Sequence, residues 1–108
     1  MEKIYELQAD ICKTFSNAKR MEIIHTLKDG EMSAGDLLEK IGLSKANLSQ
    51  HMSILKSKGV VVSRREGLNI FYRISNPKIH QACNLMREIL LDQIQERGKM
   101  VSRLKHIE

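Results

Sequence analysis

The chain has 108 residues, with 18 Lys and Arg against 13 Asp and Glu for a formal net charge of +5, and 42% of it is apolar. That size fits a single domain over residues 1–108 and is too short for two. With 4% aromatics, no Trp and one Pro, a sandwich or barrel is disfavoured, and a mainly helical domain packed on Ile, Leu, Met and Val is expected.

No window approaches the roughly 18 to 20 apolar residues of a membrane span, and the start Met1-Glu2-Lys3-Ile4-Tyr5-Glu6 lacks the apolar core of a secretory signal. A cytoplasmic protein is expected. Ile4, Leu7, Ile11 and Phe15 form one stripe at helical spacing, predicting a first helix over 1–15 that ends near the Ser16-Asn17 cap signal. A second helix turns Ala18, Met21, Ile24 and Leu27 inward and stops at Gly30. Ser33 to Asp36 has the spacing of a capping box, and Leu37, Leu38 and Ile41 give a short third helix stopped by Gly42. Ser44 then caps a fourth helix with Leu48, Met52 and Leu55 inward, ending at Gly59. Two short helices joined this tightly, over 33–58, make a helix-turn-helix.

Val60-Val61-Val62 and the run from Ile70 to Ile74 flank Arg64-Arg65-Glu66-Gly67-Leu68-Asn69, which predicts a two-stranded hairpin over 60–75 with a basic tip. Asn76-Pro77 opens a last helix over 77–97, with Ile79, Cys83, Met86, Leu90 and Ile94 on one face, closed by Gly98 and followed by a basic tail that includes His106. The fold class is therefore mainly α with a β-hairpin wing: five helices plus two strands in a winged helix-turn-helix.

Charge is concentrated rather than spread. Residues 44–75 hold six basic side chains and one acidic, a net +5 equal to the whole excess. A solvated basic face and a nucleic-acid surface both fit that asymmetry. The fourth helix separates them. Opposite Leu48, Met52 and Leu55 lie Ala46, Ser49, Gln50, Ser53 and Ser57, a small and uncharged stripe where an ordinary solvent face would carry Glu and Lys. A helix entering the major groove needs short side chains near base edges and an amide that can make paired hydrogen bonds, supplied here by Gln50. Lys45 and Lys56 flank the stripe at phosphate positions. Arg64 and Arg65 at the hairpin tip are expected on phosphates or in a minor groove. The candidate DNA-binding set is Lys45, Ala46, Asn47, Ser49, Gln50, His51, Ser53, Lys56, Arg64 and Arg65; His51 reads as a phosphate contact or a packing residue.

The segment from Ser16 to Ile24 (Ser-Asn-Ala-Lys-Arg-Met-Glu-Ile-Ile), then Ser44 to Leu55 with Ser49-Gln50-His51, Gly59, Arg64-Arg65-Glu66-Gly67 and Phe71-Tyr72-Arg73, resembles the ArsR/SmtB family of winged helix-turn-helix repressors over about residues 7–94. The resemblance implies a homodimer held by the first and last helices, a palindromic double-stranded DNA operator, and release by an effector. The apolar stripes on those two helices fit a partner surface independently.

Metal-sensing members often carry a Cys-x-Cys pair where this chain has Ser33 and Gly35, which cannot replace soft thiolates. The last-helix carboxylate and imidazole sites are not matched either, since His80 is followed by Leu91 and Ile94. No metal and no cofactor are expected. Cys12 and Cys83 are left as candidate redox or effector residues, with three readings: small buried hydrophobes, a thiol-reactive sensor, or soft-metalloid ligands with a histidine. The family's dithiol sensors carry a cysteine in the second helix, where His25 stands here. His80 and Cys83 share a helix face, a weak metal signal by itself.

Enzyme chemistry has no support: there is no HExxH, no phosphate-binding glycine loop and no Gly-x-Ser-x-Gly elbow. The sequence reads as a dimeric sequence-specific DNA-binding regulator, with a winged-helix protein-interaction module that does not bind DNA as the alternative.

Overall fold

The computed structural model describes residues 2–107. The elements run α1 (Glu2–Phe15), α2 (Ala18–Thr26), β1 (Met32–Ser33), α3 (Ala34–Ile41), α4 (Lys45–Ser57), β2 (Val61–Glu66), β3 (Asn69–Ile74) and α5 (Lys78–Ile107). The strands form one antiparallel sheet in the order β1-β3-β2.

Local chemistry fixes most of the boundaries. Asn17 Oδ1 accepts from the Arg20 N–H at 3.1 Å and Ser33 Oγ from the Asp36 N–H at 3.1 Å, so α2 and α3 each start with a side chain satisfying an orphan donor. Gly42 adopts φ 72°, and its N–H closes α3 on Leu38 C=O at 2.9 Å, a left-handed cap for which glycine carries no Cβ penalty. The core is Ile23, Ile24 and Leu27 from α2, Leu37 and Ile41 from α3, Leu48, Met52 and Leu55 from α4, and Val60, Val61 and Tyr72 from the wing. It glues the helix-turn-helix to the sheet, and α1 and α5 pack against its edge through the partly buried Phe15, Ile79 and Cys83.

The radius of gyration of 17.8 Å exceeds the roughly 13 Å of a compact chain this long. The excess comes from α5, whose 30 residues span about 45 Å. Ile4, Leu7 and Ile11 on α1, and Leu85, Ile89, Leu90 and Ile94 on α5, are all exposed in the single chain.

Several expectations need correcting. Gly98 does not close α5, which continues to Ile107. A helical Gly costs about 1 kcal/mol relative to Ala, and the good helix formers around it, Glu96, Arg97, Lys99 and Met100, outweigh that. His106 lies outside the residues whose side chains are described. The second helix ends at Thr26, before Gly30, and faces the core through Ile23 and Ile24, while Ala18 and Met21 are exposed. A third strand, β1, joins the hairpin; two residues are too short to show alternation. The hairpin strands are also longer than expected. β2 runs through Arg64, Arg65 and Glu66 to a two-residue turn at Gly67-Leu68, so the two arginines lie in a strand and not at the tip. Gly67 takes φ 61°, the positive angle such a tight turn requires.

Candidate DNA-binding face

The three-residue connection from Gly42 to Ser44 sets α4 against α3, and Ser44 Oγ accepts from the Asn47 N–H at 3.1 Å to start it. Leu48, Met52 and Leu55 are buried and clamp the inner face of α4, leaving Lys45, Ala46, Asn47, Ser49, Gln50, Ser53 and Lys56 exposed. Among the described residues, the only side-chain hydrogen bond made from α4 is Ser57 Oγ to Ile54 C=O at 2.8 Å. The neutral stripe thus projects with its polar groups uncommitted. Lys58, at the C-terminal cap, is bound instead to Asp10 of α1 at 2.7 Å.

His51 stands apart from that stripe. It is half-buried, and its Nδ1 has no partner among the described residues. Burial, and secondarily the Arg20 guanidinium, hold its pKa below the ordinary 6.5. A neutral ring is the favoured form at neutral pH, which suits packing better than phosphate attraction.

The register of the wing sorts its two arginines onto opposite faces. Ser63 pairs with Tyr72 and Arg65 with Ile70, while Arg64 pairs with Phe71 and Val62 with Arg73. Since alternate residues share a face, Arg65 lies with Ser63, Ile70 and the buried Tyr72, on the side toward α4. Arg64 lies on the other side, over the Phe71 ring at 4.5 Å and paired with Glu31 at 2.6 Å and Glu66 at 2.7 Å. Hydrogen bonds from Arg64 hold the Glu31 carboxyl below its usual range. Arg64 is therefore already engaged with two carboxylates within the chain. Arg65 is exposed and has no carboxylate partner among the described residues.

Between α4 and the wing run two open grooves. Ser49, Ser53, Lys56 and Tyr72 line one; Lys45, Ala46, Ser49, Leu68, Asn69 and Ile70 line the other. Sequence reasoning missed Leu68 and Asn69, whose place beside α4 follows from a strand register that only the extended β3 reveals.

The candidate sensing cysteines are not brought together as a pair. Cys12 is exposed on α1, Cys83 is half-buried on α5, and both are free. Each of those helices packs on α2, with little contact between the two. Burial pushes the Cys83 thiol pKa up, lowering its thiolate fraction. Among the described residues no three His, Cys, Asp or Glu side chains converge in a way that would hold a metal ion.

Residues 17–63, from the cap of α2 through the helix-turn-helix into β2, match the family model described as bacterial regulatory protein, arsR family. The HTH-type transcriptional regulator Rv0081 of Mycobacterium tuberculosis is 32% identical over 105 residues, covering 96% of this chain and 92% of the relative. The chain belongs to the ArsR family. The Rv0081 crystal structure superposes with a TM-score of 0.79 at 34% identity, covering 87% of this chain and 95% of that one. The biofilm growth-associated repressor of Xylella fastidiosa (strain Temecula1) is 37% identical over 93 residues, 86% of this chain and 82% of the relative. The transcriptional activator HlyU of Vibrio cholerae is 32% identical over 89 residues, 82% of each chain. This ArsR-family chain is a DNA-binding transcriptional regulator with the winged helix-turn-helix architecture, and no described helix is long and apolar enough to cross a membrane.

Proposed function

We propose that the protein is a cytoplasmic homodimeric repressor, without enzymatic activity, that occupies a palindromic operator and leaves it when an effector binds. The observation that carries this reading is the outer face of α4: small, neutral, uncommitted, and rigidly backed by Leu48, Met52 and Leu55. Gln50 is the base reader, with its amide suited to paired hydrogen bonds to adenine, and Asn47 extends the polar surface. Ala46, Ser49 and Ser53 let the helix backbone approach base edges. Lys45 and Lys56 bind phosphates and set register, and Arg65 adds a contact from the wing.

Exposed apolar residues of α1, with Leu85 and Ile89 of α5, supply the dimer surface. Burying them against a second copy removes a row of large aliphatic side chains from water, each worth about 1.5–3 kcal/mol when fully covered. A two-fold dimer would place its α4 helices in successive major grooves roughly 34 Å apart. A gel shift on the DNA upstream of its own gene, repeated across salt concentrations, tests the reading. Salt-sensitive binding to one palindromic site is expected. No binding there, or to any palindrome selected from a random library, rejects it in favour of an interaction module. A promoter fusion that loses expression when the protein is supplied identifies a repressor.

A further inference from the structure

A cleft of about 390 Å³ opens between α2 and the first turns of α5, with no residue of α4 in its lining. Its wall is apolar, built from Met21, Ile24, Met86 and Leu90, and its rim carries Lys28 and Arg87. The volume falls in the range of small-molecule sites, which combine an apolar wall with a few convergent polar groups. Methionine on both sides lets the wall adapt to an irregular aliphatic body. We propose that this cleft binds a small organic anion, an aliphatic carboxylate whose chain lies along the methionines and whose head is held by Lys28 and Arg87.

Charge is the discriminating feature. Neither Lys28 nor Arg87 has a carboxylate partner among the described residues. Lys28 Nζ lies 3.2 Å from His25 Nε2, so the imidazole there is the acceptor and carries no proton on that nitrogen. Burial, Lys28 and Arg87, in that order, all depress the His25 pKa, and only Asp29 opposes them, as the weakest influence. A cationic head group is repelled by such surroundings and a neutral one gains hydrogen bonds but no charge attraction; a carboxylate meets two positive charges that have no carboxylate partner among the described residues. His80 also lines the cleft, with a buried Nδ1 that has no partner among the described residues.

The cleft is compatible with a dimer. At about 100° per residue, Leu85 and Ile89 project from α5 nearly opposite Cys83 and Arg87, so an interface built on the former leaves the latter open. Behind the cleft wall, Ile24 and its neighbour Ile23 enter the core shared with α3 and α4, so a ligand wedged between α2 and α5 acts on the element behind the DNA-reading helix. That regulatory half rests on the repressor reading; ligand binding itself does not.

The test is calorimetric titration of the full chain, without DNA, using octanoate, octan-1-ol and octyltrimethylammonium. Octanoate should bind at one site per chain, at least tenfold more tightly than the other two. Arg87→Gln and Lys28→Gln, both on exposed side chains, should each weaken octanoate at least tenfold and leave octan-1-ol unchanged. Equal affinity for the acid and the alcohol, no octanoate binding, or insensitivity to both substitutions overturns the site. Operator affinity is measured separately by anisotropy. Without ligand it reports on DNA binding alone; a fivefold or greater loss at saturating octanoate is expected, and no change overturns the regulatory half.

Discussion

Arg64 grips Glu31 across 33 positions of sequence: its Nε donates to the two carboxylate oxygens at 3.0 and 2.8 Å and its Nη2 to one of them at 2.6 Å. The pair ties the outer strand of the wing to the segment leading from α2 into β1. Its neighbour Arg65, one residue on, points the other way.

From that division of labour, Arg65→Ala should weaken operator binding uniformly across sequences and reduce the slope of log affinity against log salt by about one. Arg64→Ala should leave the slope unchanged. Anisotropy titrations of both variants over a range of salt check this; equal slopes for the two would show that the strand register does not decide which arginine reaches DNA.

Gln50→Ala should cost about 1–3 kcal/mol at the operator and relax the preference at the base pair it faces, with little change on non-specific DNA. Binding-site selection with the variant measures both effects. A uniform loss on all sequences would make Gln50 a phosphate contact instead.

Leu85→Glu combined with Ile89→Glu should give a folded monomer by sedimentation equilibrium, because both side chains are exposed in the single chain and charge repels across a two-fold seam. Operator affinity should then fall by about 100-fold or more, as the two half-sites no longer act together. A dimeric variant would move the interface elsewhere.

His51 should titrate below 6.5 by NMR, and Arg20→Ala should raise its midpoint, since burial and the guanidinium both disfavour the imidazolium. The sign for stability follows. Between the depressed folded value and 6.5 the unfolded chain binds more protons, so stability rises with pH there; the contribution is full above 6.5 and is lost as pH falls through the folded value. A midpoint at or above 6.5 would contradict this.

The helix-turn-helix was legible because its signals are local. Ser44 before α4, Gly42 and Gly59 after the two helices, and Leu48, Met52 and Leu55 at helical spacing all lie within a few residues of what they control. The outer stripe of α4 was legible by subtraction from the same spacing. Arg64 was not, since its partner Glu31 lies far away in sequence and a charged strand end exposed at every position looks like a loop. β1 was hidden because its pairing is set by β3 rather than by its own two residues. The length of α5 was hidden by Gly98, whose weak local cost loses to its neighbours. The cleft between α2 and α5 needed the turn of Met21 away from the core, which depends on how Ile23 and Ile24 pack.

The tight connection at Gly67-Leu68 makes the hairpin a two-position switch in the genetic sense. Inserting a single residue between Ser63 and Arg64, with the rest of the ladder kept, would exchange the roles of adjacent cations: the one now neutralised by acids would swing toward the double helix, and the other would be carried to the outside. Length changes of this strand by even numbers should therefore be tolerated in natural variants, and odd ones selected against.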